Sequence, residues 1–190
     1  MQRPRCSVFI ATSLDGFIAR PDGTFDFLSI VEREGEDYGF ADFFATIDAL
    51  VIGRNTYETA LQFPEWPYAG KRCVVLTHRE TPSVHGEQFF AGEPAALLEQ
   101  LALAGAQRLY VDGGAVIRAF LAGDLIDDLT VSVVPVLLGR GIPLFGEEVP
   151  EQRLALASCK AYESGLVQLS YARSAAQASS SASSAGTSST

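Results

Sequence analysis

Two adjacent glycines, Gly113 and Gly114, follow the apolar run Leu109–Val111 and precede Val116, Ile117, Phe120 and Leu121 at helical spacing. A turn without side chains at the start of a helix leaves backbone N–H groups bare, at an end carrying about half a positive charge. Such an end suits a phosphate or diphosphate, although an ordinary tight strand-to-helix turn has the same sequence. Two other apolar runs also end in groups with chemistry for anions. Ala49–Ile52 closes in Gly53-Arg54-Asn55-Thr56, and Arg72–Leu76 closes in Thr77-His78-Arg79. If all three runs are strands of an open α/β sheet, their carboxyl ends share one edge, where ligands collect. Gly113 and Gly114 are then expected to take the diphosphate of a dinucleotide. Arg54 and Arg79 take the remaining phosphate charge, and Thr56 caps its helix and offers a hydroxyl.

Acid–base chemistry needs a carboxyl group whose pKa lies near neutrality. Phe40, Phe43, Phe44 and Ile47 repeat at helical spacing, which predicts a helix over 36–47. Glu36 and Asp37 fall one turn before Phe40, near its apolar face. Desolvation there would raise a carboxyl pKa and make a proton donor. The alternative is a pair of first-turn carboxylates complementing the helix dipole. Asp42 falls on the far side of that helix, Asp15 in Leu14-Asp15-Gly16 reads as a turn former, and Asp112 could either set the glycine turn or face a ligand. His78 and His85 have no second ligand at metal spacing, and no metal site is expected.

These residues need a scaffold. Ser7–Thr12 reads as a buried strand, turns follow at Asp15-Gly16 and Pro21–Thr24, and 25–35 reads as irregular. Asn55 with Glu58 three residues on reads as a reciprocal helix cap. A helix begins at Glu93-Pro94, and the helix after Gly114 stops near Gly123. Leu129–Leu138 is a β run broken by Pro135, and Leu154–Tyr162 with Leu166–Arg173 alternates like a hairpin. Strands alternate with helices up to Gly123 and hairpins follow. The expected fold is therefore three-layer α/β, its mixed sheet parallel early and antiparallel late. Residues 1–173 form the domain; 174–190, built from Ser, Ala, Gly, Gln and Thr, read as a disordered tail.

Composition limits the partners. The 190 residues carry a net charge of −9, which argues against nucleic acid and anionic membranes as partners. Cys6, Cys73 and Cys159 are odd in number and far apart, as in a reduced cytoplasmic protein. Met1–Arg5 leads into a short strand rather than a long apolar segment, so no leader is expected, and no run reaches membrane-spanning length. Late hairpins expose edges that want covering, which makes a homodimer the expected assembly.

Five segments occur in an order that resembles a known family: 9–19 (FIATSLDGFIA), 50–58 (LVIGRNTYE), 74–77 (VVLT), 110–114 (YVDGG) and 135–145 (PVLLGRGIPLF). Together, over about residues 5–172, they resemble the dihydrofolate-reductase-like superfamily. The nearer branch is the C-terminal reductase domain of the bifunctional riboflavin-biosynthesis deaminase/reductase. The resemblance implies the dihydrofolate-reductase-like fold and an NADPH-dependent reductase acting on a small molecule. By it, Gly53, Arg54 and Thr56 bind cofactor phosphates, and Gly113 and Gly114 bind the diphosphate with Ala115 and Val116 beside them. Thr77, His78 and Arg79 reach the adenosine 2′-phosphate, while Ala11 and Ile18 border the nicotinamide. The family's carboxylate falls on Asp37, or on Glu36 with a shifted loop. The implied substrate is a pterin-like or aminopyrimidine ring. Alternatives are 5-amino-6-(5-phosphoribosylamino)uracil specifically, for which Arg140 would meet the phosphate, or a non-catalytic nucleotide-binding protein of the same fold. The chain departs from the bifunctional pattern in having no Pro-Cys-X-X-Cys, so the zinc deaminase chemistry is missing from this sequence.

Overall fold

A computed structural model describes residues 3–79, 82–146 and 149–174. Among these residues ten strands form: β1 (Arg5–Ser13), β2 (Phe17–Ala19), β3 (Ala49–Gly53), β4 (Arg72–Leu76), β5 (Gln88–Phe90), β6 (Arg108–Asp112), β7 (Asp128–Val134), β8 (Ile142–Pro143), β9 (Leu154–Ala161) and β10 (Val167–Arg173). Four α-helices accompany them: α1 (Phe40–Ala45), α2 (Arg54–Ala60), α3 (Pro94–Leu103) and α4 (Gly114–Ala122). Eight strands make one sheet in the order β5-β4-β3-β6-β1-β7-β10-β9, while β2 and β8 pair separately. From β5 to β7 every pair is parallel; β7, β10 and β9 pair antiparallel.

Side chains alternate across the sheet with period two, and this divides the core. Ala49, Val51, Leu109 and Val111 pack with α3 and α4 through Leu97, Leu98, Leu101, Val116, Ile117 and Phe120. Leu50, Ile52 and Tyr110 face the other way, towards Phe43 and Phe44 of α1 and Tyr57 and Ala60 of α2. The central parallel strands are thus covered on both faces, which is why they read as continuous apolar runs. Truncating a wholly buried residue such as Leu50 costs about 2–5 kcal/mol. The amino edge of the sheet is closed by charge: Asp128 pairs with Arg5 at 2.6 Å and Arg108 at 3.2 Å. The carboxyl ends of the parallel strands are left for the site. At the sheet's far side, β9 is exposed at all eight of its residues.

Three local expectations are corrected. The helix expected over 36–47 spans only Phe40–Ala45, because Tyr38 (φ 58°) and Gly39 (φ 83°) both lie in the left-handed region and interrupt the helix. Tyr38 is held there from outside: its hydroxyl donates to the Val31 carbonyl and its ring meets Tyr162 edge-on at 4.8 Å. Asn55 and Thr56 do not cap α2; Gly53 occupies that position, and Glu58 instead pairs with Arg54 at 2.6 Å. Within the stretch expected to be irregular, Asp26–Val31 forms a 3-10 helix burying Phe27 and Val31. Apart from Ser174, the expected tail lies outside the described residues.

Candidate active site

The chain leaves β3 across one face of the sheet to reach β4, and leaves neighbouring β6 across the other to reach β7. A crevice opens where adjacent parallel strands send their connections to opposite faces. Gly113 sits in it with φ 91°, the left-handed side where a Cβ is disfavoured. A Cβ on Gly113 would overlap the Thr56 hydroxyl oxygen, and one on Gly114 would lie 2.7 Å from Ile18 Cδ1. The close approach of α2 and the backbone angle therefore require Gly113 to lack a side chain, whereas a Cβ on Gly114 would meet the movable ends of Ile18 and Arg118. No side chain caps α4, so the N–H groups of its first turn remain available to a ligand.

A cavity of about 630 Å³ opens above this floor. Ala11, Ile18, Gly53, Arg54, Thr56, Gly113, Gly114, Ala115 and Val116 all line it. Thr77, His78 and Arg79 lie apart, in a shallower annex reached past Arg54, Asn55 and Glu58. Nine of the residues singled out from sequence thus share one cleft and three share its extension. Arg118 was not singled out; it lines the cleft with Nη1 donating to the Pro143 carbonyl at 2.7 Å. Its position one helical turn after Gly114 was the signal that could have marked it.

A second cavity, of about 400 Å³, adjoins the first and is walled by Phe9, Phe40, Tyr110 and Leu166. Glu36 and Asp37 line it too, but on a loop rather than a helix. The Asp37 carboxylate accepts the Ala41 and Gly39 N–H groups, each at 2.9 Å. Those bonds stabilise its charge and lower its pKa, the opposite of the expected rise. Glu36 is occupied with the Tyr38 N–H at 2.8 Å.

The raised carboxyl group is Asp112, which lines both cavities. Period-two alternation puts it on the Tyr110 side of β6, at the mouth of the crevice. Burial pushes its pKa up to about 6, against the opposing pull of the Gly113 N–H and the Tyr110 and Tyr68 hydroxyls. One oxygen, Oδ1, accepts that N–H at 2.8 Å. The side chain therefore sets the glycine turn and faces the ligand space at once. Among the described residues no group of His, Cys, Asp or Glu could hold a metal ion, and no helix is long and apolar enough to cross a membrane.

Comparison with known proteins agrees with this architecture. The family model described as the RibD C-terminal domain matches residues 4–168. The uncharacterised protein YwjB of Bacillus subtilis (strain 168) is 38% identical over 169 residues, covering 87% of this chain and 96% of its own. The riboflavin biosynthesis protein RibD of Corynebacterium ammoniagenes is 30% identical over 159 residues; the match covers 75% of this chain and 46% of RibD. Among solved structures, a Shewanella sp. PV-4 protein provisionally assigned to riboflavin biosynthesis superposes with a TM-score of 0.84 at 36% identity, covering 90% of this chain and 99% of its own. The Thermotoga maritima deaminase/reductase shares the fold at a TM-score of 0.69 and 15% identity, over 90% of this chain and 57% of its own. On this sequence match and this fold, the chain belongs to the RibD C-terminal domain family.

Proposed function

We propose that this protein is an NADPH-dependent reductase acting on a pterin-like or aminopyrimidine ring. The observation that carries the reading is the joining of two cavities at Asp112: a glycine-floored, arginine-bearing cleft and an apolar pocket of ligand size. The cleft fits a dinucleotide in its volume of about 630 Å³, its glycine-started helix and its two guanidinium groups, Arg54 and Arg118. Gly113, Gly114 and the first turn of α4 would hold the diphosphate. Arg54 and Thr56 would hold the phosphate edge beside it, and Thr77, His78 and Arg79 the 2′-phosphate. Ala11 and Ile18 would border the nicotinamide ring.

The bound cofactor supplies a hydride, so reduction of a C=N bond also needs one proton. Asp112 is the group placed to deliver it, since burial keeps its carboxyl protonated to a higher pH than an exposed aspartate. The sign follows directly. The acid form is present below about pH 6 and is lost as pH rises through that value, so turnover falls on the alkaline side. Asp112→Asn keeps an acceptor for the Gly113 N–H but has no proton to give. Turnover should fall by about 10²–10⁴-fold and the limb near pH 6 should vanish. NADPH affinity should stay within about threefold, a change below 1 kcal/mol. Equal loss of binding and turnover would remove Asp112 from this role. NADPH binding without oxidation against dihydrofolate, dihydropterin or the aminopyrimidine riboflavin intermediate would favour a non-catalytic nucleotide-binding protein.

A further inference from the structure

Charge is divided between the two cavities. The dinucleotide cleft carries Arg54 and Arg118 against the single carboxyl of Asp112. The second pocket carries Glu32, Glu36, Asp37 and Asp112 against the single guanidinium of Arg33. Arg33 is itself turned back, with Nη1 donating to the Glu32 carbonyl at 2.6 Å. Arg140, the cation expected to meet a substrate phosphate, lines neither cavity. Phe9, Phe40 and Tyr110 are flat walls suited to stacking on a ring.

We infer that the second pocket receives a planar ring that is neutral or cationic and bears no phosphate. This rests on the reductase reading and names the substrate class of that same site. A phosphate ester brings about −1.5 to −2 charges at pH 7 among four carboxyl groups, with the single guanidinium of Arg33 in the lining to set against them. Like charges brought together at a recognition surface are rejected, and that rejection weakens as salt screens it. An N–H-rich ring edge meets the same carboxylates as a charge-assisted donor. The pocket would then discriminate against the phosphoribosyl substrate named for the Thermotoga maritima enzyme while keeping its fold.

The test uses a matched pair of probes, 5-amino-6-ribosylaminouracil and its 5′-phosphate, titrated calorimetrically into the full-length protein with and without saturating NADPH. The unphosphorylated probe should bind at least about tenfold tighter at low salt, with the gap narrowing at high salt. The double variant Glu32→Gln/Glu36→Gln should tighten the phosphate ester and weaken the unphosphorylated probe, closing the gap between them from both sides. Equal or tighter binding of the ester, or no binding of either probe up to millimolar concentration, overturns the inference. Failure of NADPH to bind overturns the reductase reading alone, because probe preference is also read in the free protein.

Discussion

Gly114→Ala tests the cleft with little harm to the fold. The new Cβ would lie 2.7 Å from Ile18 Cδ1 and 3.0 Å from Arg118 Nη1, both far ends of flexible side chains. Their displacement is offset by the better helix propensity of alanine, up to ~1 kcal/mol. Net stability should change by less than about 1 kcal/mol, a melting shift of roughly 2–4 °C for a chain of this size. Gly113→Ala is a poorer probe, because φ 91° adds about 1–3 kcal/mol of backbone strain. For the ligand the arithmetic differs. The methyl group added by Gly114→Ala would displace Ile18 and Arg118, which line the cleft beside the first turn of α4, where on the proposed reading a phosphate oxygen would come within hydrogen-bond reach. Losing one hydrogen bond to a charged group costs about 1.5–3 kcal/mol, so NADPH should bind roughly 10- to 150-fold more weakly. The assay is calorimetric titration of NADPH, with a thermal melt of the same preparation. Unchanged affinity with an unchanged melt would show that the glycine floor does not hold the cofactor.

The annex, the loop carboxylate and the buried acid give three more expectations. Arg79→Ala should weaken NADPH by about tenfold and leave NADH unaffected, read as a ratio of dissociation constants, because on the proposed reading only the 2′-phosphate would reach that exposed guanidinium. Asp37→Ala should lower the melting temperature by uncapping α1, with the pH profile of turnover unmoved; a shifted profile would return the acid role to Asp37. Glu87 is buried and accepts hydrogen bonds from the Tyr57 hydroxyl and the Val84 and His85 N–H groups. Burial alone would raise its pKa, but those donors together bring it to about 2. Its contribution is therefore complete above about pH 4.5 and lost as pH falls towards 2. Glu87→Ala should cost about 3 kcal/mol or more by stranding these donors, and should flatten that part of the acid unfolding curve measured by denaturant titration.

How far the chain could be read depends on the range of the forces at each place. The runs 49–52, 73–76 and 109–111 are apolar throughout because both sheet faces are covered, and Pro94, Gly113 and Gly123 punctuate helices by local geometry. Such features lie within a few neighbouring residues, so the alternation of layers, the late hairpin and the three anion-suited strand ends are visible without coordinates. The loop at Tyr38 is not. Its left-handed turn depends on Val31 and Tyr162, remote contacts that local periodicity cannot register, and the expected helix start moved with it. The acid–base assignment moved for the same reason. Asp37 and Asp112 are chemically identical, and neighbouring sequence places both beside apolar residues. Backbone donors hold one ionised, whereas burial between two cavities favours the proton on the other. Which residue types stand at each strand end is written in the order of the amino acids. Which carboxyl loses its water is settled by packing, because desolvation is a property of everything that surrounds a group in space.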